Sequence, residues 1–253
     1  MRDLSRVKKD RPGGIVLLSG GIDSAVTLYL AKKYGYHLTA LIFDYHQRHY
    51  REIESAKRIA RLNKIPYEVV KVTLEWAPSS LTRKDKKVPF DRNLRDKKVP
   101  STYVPGRNII FLSYAVSFAE SIGADAIFIG AHVHDYSDYP DCRGEFLNSF
   151  EFAVNKGIQK KGLRIIAPLL DKGKKDIIKL GLSLGVPFEE TWSCYLGGKE
   201  PCLRCDSCRF RLEAFRRLNM TDPLLRGKGR GGDQSRSKMK DEKRNIKNTP
   251  RQS

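Results

Sequence analysis

The stretch Gly14-Ile15-Val16-Leu17-Leu18-Ser19-Gly20-Gly21-Ile22-Asp23-Ser24 decides the fold. Gly14 to Leu18 is a short apolar run, Ser19-Gly20-Gly21 punctuates it, and a helical pattern then continues to Tyr34, with Gly35 as its stop. Strand, tight glycine turn and helix follow one another, so two glycines and the unsatisfied amides of a helix N-terminus meet at one point. Glycines let a phosphate come close to the backbone, and the amides and helix dipole favour an anion there. Ser19 and Ser24 add hydroxyl donors. Gly-Gly taken alone reads equally well as an ordinary turn capped by Asp23 or Ser24.

The same alternation extends outward. His37 to Phe43 reads as a second strand, and Tyr50 to Leu62 is amphipathic with Ile53, Ala56 and Ala60 on one face. Pro66 to Val72 is a third strand. A helix from about Arg107 carries Ile109, Leu112, Val116 and Ala119 at helical spacing, and Ala126 to Gly130 has the character of a buried strand. Leu163 to Ala167 is another strand. A helix from about Lys174 follows, with Ile177, Leu180 and Leu184 inward and Gly185 closing it. Strands alternating with helices predict an α/β fold, an open and mainly parallel sheet with helices on both faces, whose site lies beyond the carboxyl ends of the strands.

Three stretches interrupt this pattern: the charged connection 75–105, expected to be a functional loop or mobile; a cysteine cluster between Thr191 and Cys208; and a Gly-, Lys-, Arg- and Ser-rich tail. The expected organisation is a basic extension over 1–12, an α/β domain over 13–189 that carries the glycine turn, a zinc-binding helical segment over 190–220 and a basic disordered tail over 221–253. The formal net charge of +19 on 253 residues invites a nucleic-acid partner. Its distribution argues otherwise, because residues 226–253, 83–98 and 1–12 together carry +15 of it. The tail reads as a solvated appendage able to touch RNA weakly and non-specifically. With 40% apolar residues the chain can bury a core, and no apolar run approaches the ~20 residues that span a bilayer. The N-terminal residues lack the pattern of a signal peptide, so the expectation is a soluble cytoplasmic protein with no membrane partner.

Cys202-x-x-Cys205-x-x-Cys208 places three thiolates on one turn, and Cys194 can close a tetrahedron across Gly197-Gly198. A structural four-cysteine zinc site is preferred over an iron–sulfur cluster, although spacing alone leaves both open. Cys142 is separate and reads as a buried small residue.

Ser19-Gly20-Gly21-Ile22-Asp23-Ser24 is neither a Walker sequence nor a dinucleotide fingerprint. It resembles the pyrophosphate loop of the ATP pyrophosphatase superfamily. Three further segments narrow the resemblance: Val104-Pro105-Gly106-Arg107-Asn108; Gly130-Ala131-His132-x-x-Asp135-Tyr136-Ser137-x-Tyr139-Pro140-Asp141-Cys142-Arg143; and Thr191-Trp192-Ser193-Cys194-Tyr195. With them the chain, from about Gly14 to Phe215, is similar to the QueC family of 7-cyano-7-deazaguanine synthases. It departs from that pattern at Leu203 and Asp138, where glycine is usual, and at Gly173, where a Thr or Ser usually precedes the lysine.

The resemblance implies a Rossmann-like fold of the adenine nucleotide alpha hydrolase type. It further implies a carbon–nitrogen ligase that uses ATP with Mg²⁺, ammonia and 7-carboxy-7-deazaguanine, without requiring nucleic acid, and that forms a homodimer. ATP would be held by Leu18, Ser19, Gly20, Gly21, Ile22, Asp23, Ser24, Asp44, Arg107 and Lys174, of which Asp23, Lys174 and Arg107 are the catalytic candidates. Substrate candidates are Asn108, His132, Asp135, Tyr136, Asp141 and Arg143, and metal candidates are Cys194, Cys202, Cys205 and Cys208. His132 and His134 suggest no second metal, having no third ligand, and His46 and His49 lie just beyond the second strand near the expected site. Two alternatives stay open at this stage: a tRNA-modifying enzyme of the same ATP superfamily, of thiolation or lysidine type, and a QueC-like paralogue with a different acceptor.

Overall fold

The computed structural model describes residues 11–93, 99–132 and 139–226. Most of the basic N-terminal extension, Asp135, Tyr136, His134 and the tail from residue 227 lie outside the described residues. The elements begin with β1 (Gly13–Leu17), α1 (Ile22–Lys33), β2 (His37–Asp44), α2 (Arg51–Leu62) and β3 (Tyr67–Lys71). They continue with α3 (Arg107–Ile122), β4 (Ala126–Phe128), α4 (Gly144–Gly157), β5 (Arg164–Ile166) and α5 (Lys174–Ser183), then α6 (Asp206–Arg216) and α7 (Pro223–Arg226).

The five strands form one sheet in the order β3-β2-β1-β4-β5, with all neighbours parallel. β1 is central because it is buried from both sides and reads as an unbroken apolar run. Its residues alternate between faces: Val16 packs with Ala40, Ile42 and Phe128 under α1, α2 and α5. Ile15 and Leu17 pack with Leu41, Phe43 and Ile127 under α3 and α4. Covering both faces in this way is what makes a parallel sheet stable. The strand order reverses between β1 and β4, and the crevice beyond their carboxyl ends is where such folds place ligands.

Several expectations need correcting. Ile109, at the same helical spacing as the buried Leu112, Val116 and Ala119, is itself 43% exposed. Helix α4 was not anticipated; it buries Leu147 and packs Phe146, Phe150 and Val154 beneath the sheet. The connection 75–105, where described, is built into the body: Leu74, Ala77, Leu81 and Val104 join the core around β1. The tail boundary expected at 221 falls too early, since Asp222 is buried in a bidentate ion pair with Arg211 (2.6 and 2.8 Å) and α7 follows it. Nor does the cysteine segment stand apart, because Ala214 and Phe215 of α6 join the same core as α1 and α5. No helix among the described residues is long and apolar enough to cross a membrane.

Candidate active site and four-cysteine centre

The crevice holds a cavity of about 320 Å³, within the size range of small-molecule sites. One end is the glycine loop. Gly20 takes φ +84, and a Cβ there would overlap the Glu52 carbonyl oxygen of α2, so only glycine lets the loop lie against that helix. The Gly20 carbonyl accepts from Trp192 N–H (2.9 Å) and Ser55 Oγ (3.1 Å), which turns this residue away from the cavity. Gly21 is the N-cap of α1 and offers no side-chain cap, so the first amides of the helix point into open space. Ser24 Oγ accepts from Ser19 N–H (3.2 Å) and donates to the Gly21 carbonyl (3.1 Å), holding the loop in an anion-binding shape.

Asp23 follows in the first turn of α1, and Lys174, from the first turn of α5, donates to both its oxygens at 2.8 and 2.9 Å. His132, just past β4, stands 3.2 Å from the Lys174 ammonium and 3.4 Å from Asp23. Burial pushes the Asp23 carboxyl up, but Lys174 and His132 outweigh it and hold the group well below the usual carboxylate range. Gly130 lets β4 pass α1 closely, since a Cβ there would sit 3.0 Å from the Asp23 carbonyl carbon. The result is a fixed cation beside an uncapped helix N-terminus.

The other end is built by α3 and the segments around it. Burial works against the Arg107 charge, yet Tyr45, Cys142 and Asp141 together hold the guanidinium firmly protonated. It lies over the Tyr45 ring, 5.9 Å from its centroid. Asp141 is buried and accepts from Asn108 N–H at 3.0 Å, satisfying an amide at the start of α3. Asn108 also donates to Cys142 Sγ at 3.2 Å. Burial and the neighbouring Asp141 push the Cys142 thiol up to about 11, so it is a poor nucleophile. Glu52 completes this wall; burial pushes its carboxyl up to about 7 against the pull of Arg107, with the Cys194 sulfur adding to the rise.

Behind this wall the sulfurs of Cys194, Cys202, Cys205 and Cys208 lie within 4.8 Å of one another. Cys205 is the N-cap of α6 and Cys208 sits in its first turn, where helix amides favour thiolate. Backbone N–H groups of Leu196 and Cys202 donate to Cys194 Sγ at 3.4 and 3.3 Å, and Cys205 N–H to Cys202 Sγ at 3.3 Å. Four thiolates at this spacing need a cation among them, so the donor set fits a bound metal ion.

A family model described as "Queuosine biosynthesis protein QueC" matches residues 13–219. The chain belongs to the QueC family. A 7-cyano-7-deazaguanine synthase from Trichodesmium erythraeum is 46% identical over 83% of this chain and 99% of its own length. Its namesakes from Clostridium kluyveri and Thermoplasma acidophilum are 48% and 46% identical, over 83% and 85% of this chain and 96% and 92% of their own. Among solved structures, an NMN synthetase from Francisella tularensis is 17% identical over 96% of this chain and 90% of its own, with a TM-score of 0.45.

Within this QueC-family chain the structure sorts the sequence-derived candidates. Leu18, Ser19, Gly21, Ile22, Asp23, Ser24, Arg107 and Lys174 line one cavity together with Asn108, His132 and Asp141. His132 lies with the loop and Lys174 rather than with the substrate segment. Gly20 supports the loop from behind. Asp44 accepts from His46 N–H at 3.2 Å and is not part of the lining. Arg143 is exposed and N-caps α4, also away from the lining. His49 lines the cavity and His46 is exposed. Sequence reading missed Tyr45, Glu52 and Thr102 on the cavity wall. The run Tyr45-His46-Gln47-Arg48-His49 beyond a strand was the available signal for the first.

Proposed function

We propose that the chain is an ATP-dependent carbon–nitrogen ligase converting 7-carboxy-7-deazaguanine and ammonia to 7-cyano-7-deazaguanine, in queuosine or archaeosine biosynthesis. The observation that carries this reading is one shared cavity: the glycine loop with Lys174 opens onto the same space as Arg107, Asn108, Tyr139 and Asp141 of a QueC-family chain. A carboxylate oxygen of the acid attacks the α-phosphorus of ATP and the bond to pyrophosphate breaks. Ammonia adds to the acyl carbon, AMP departs with that oxygen, and one proton leaves to give the amide. The amide oxygen attacks a second ATP with loss of pyrophosphate; departure of AMP and two N–H protons then leaves the nitrile.

Such steps depend on positioning and charge neutralisation more than on covalent help from the protein. In this reading the α1 amides, Ser19 and Lys174 orient the polyphosphate, and Arg107 faces charge developing at the acid. Asp23 holds Lys174 in place and stands where a phosphate-bound cation would be met. Mg²⁺ bound with the nucleotide supplies further neutralisation.

The metal at the four cysteines is assigned as zinc. Bonds of about 2.3 Å in a tetrahedron put sulfurs ~3.8 Å apart, and Cys202 and Cys208 are 4.0 Å apart. Four protein thiolates leave no open position, which fits a structural role. Free thiolates also suit the cytoplasm. A homodimer, implied by the family resemblance, belongs to the same proposal and is read by light scattering.

Purified protein with ATP, Mg²⁺, ammonia and 7-carboxy-7-deazaguanine should release AMP and pyrophosphate and form a product with a nitrile. AMP release that depends on added tRNA instead would sink the reading. Elemental analysis should find about one zinc per chain, and an iron chromophore would overturn that assignment.

A further inference from the structure

We propose that the Thr102 hydroxyl is a specificity-determining contact for the polar edge of the heterocyclic acid, a role that rests on the function proposed above and deepens it. Thr102 lies in the connection between β3 and α3, is only 4% exposed and lines the active-site cavity with Arg107, Asn108 and Tyr139. Its hydroxyl has no hydrogen-bond partner among the described residues. The Tyr139 phenol is a polar neighbour, pushed up by burial that this hydroxyl only partly offsets, but no well-formed hydrogen bond joins them. A buried hydroxyl without a partner is destabilising, whereas valine has the same shape and no such cost. The hydroxyl therefore needs a partner from outside the chain: water in the free protein, and the ligand when it is bound.

The position is held, not loose. Ser80 N–H donates to the Ser101 carbonyl at 2.7 Å, and Tyr103 N–H to the Pro100 carbonyl at 2.9 Å. Ser80 is fixed in turn by Arg48, whose Nε donates to its carbonyl at 3.0 Å and whose terminal nitrogen donates to the Arg83 carbonyl at 2.9 Å. Arg48 thus ties the β2–α2 turn to the connection that carries Thr102. Beside it the Tyr103 and Tyr139 rings pair at 5.0 Å between centroids, tilted by 32°, giving the wall a flat, apolar body. A hydroxyl both donates and accepts, which suits a heteroaromatic edge that alternates N–H and carbonyl groups. Its polar neighbour Tyr139 belongs to the segment proposed to hold the acid, so the contact is assigned to the acid and not to ATP.

Titration calorimetry on the whole protein tests the proposal, with 7-carboxy-7-deazaguanine and a non-hydrolysable ATP analogue as separate ligands. Thr102→Val should weaken binding of the acid about tenfold, leave that of the ATP analogue within about twofold, and leave Tm unchanged or higher. Thr102→Ser, which keeps the hydroxyl, should restore most of the affinity. Unchanged affinity for the acid in Thr102→Val, or equal loss for both ligands, overturns the proposal. The function itself is judged separately on the unmodified protein. If that makes no nitrile, the reaction assignment fails; if it does and Thr102→Val binds the acid equally well, only the Thr102 role fails.

Discussion

Two clusters in this molecule gather several reactive side chains within a few ångströms, and they are built in opposite ways. The four cysteines come from fifteen consecutive residues, and three of their four sulfurs belong to buried residues. The trio Asp23, His132 and Lys174 spans 151 residues of chain. Its Asp23 and Lys174 side chains keep 27% and 15% of their surface and open onto the cavity. Four thiolates around one ion would leave no coordination position for a reactant, which is what the proposed structural role requires. The trio instead sits beside the first amides of α1, which carry no side-chain cap, on the wall of the cavity.

The largest expected effect tests the closed cluster. Val88 and Trp192 pack against the cysteines, Phe90 bridges to Cys205, and Asp91 pairs with Arg204 at 2.6 Å. Chelation should therefore release both the cysteine segment and part of the 75–93 connection. A loss of at least about 5 kcal/mol, or more than about 10 °C in Tm, is expected in thermal unfolding with and without chelator. An unchanged Tm after verified metal loss would refute the structural role.

Lys174→Ala tests the open trio in the complementary sense. It should lower the rate of AMP formation by about 10²–10³ while moving Tm by no more than a few degrees, since the cation sits at the edge of a cavity. Equal damage to Tm and rate would erase the contrast between the two clusters.

Glu52 lies between the two regions, and its pH behaviour separates them. Its folded pKa of about 7 exceeds the ordinary 4.5, so folding favours the protonated form. The stabilising contribution is fully present below about 4.5 and is lost as pH rises through 7. Glu52→Gln should remove this loss and so gain about 1–2 kcal/mol over wild type near pH 8, after discount for partial exposure. Asp23 has the opposite sign, since its depressed pKa adds stability above the ordinary carboxylate range that disappears as pH falls. Equal pH-dependence of Tm in Glu52→Gln and wild type would contradict the burial argument.

The two smallest effects come from departures from the family pattern, one in each region. Leu203 takes φ +60 in the cysteine loop and is 43% exposed, so Leu203→Gly should relieve left-handed strain and gain about 0.5–1 kcal/mol in denaturant unfolding. Gly173 is the N-cap of α5 and supplies no side-chain acceptor; Gly173→Ser should add a few tenths of a kcal/mol. Destabilisation by either change would show that the local backbone is not the controlling feature.

Much of this was legible in the chain itself, and the misreadings have physical causes. β1 and the glycine loop were readable because a doubly buried strand is continuously apolar and glycines mark the turn. α4 escaped notice because its helical signal is blunted: only Leu147 is fully buried and Phe152 is 69% exposed. The connection 75–105 read as a loose charged loop because composition records its lysines. Its burial depends on Ser80 and Leu81 finding partners in Ser101 and Arg48, far along the chain. The Arg211–Asp222 pair, inside what read as a basic tail, was invisible for the same reason.

The sequence by itself determined what depends on spacing along the chain: the parallel α/β alternation, the phosphate-type turn and the cysteine quartet. Only the tertiary structure decided that His132 joins Lys174 and Asp23, that Asp141 caps α3, that Asp44 and Arg143 stand off the cavity, and that Thr102 faces into it. Period and motif are local properties of a backbone. Which side chains meet across a cavity is set by strand order and crossover packing, and these emerge only when the whole sheet is assembled.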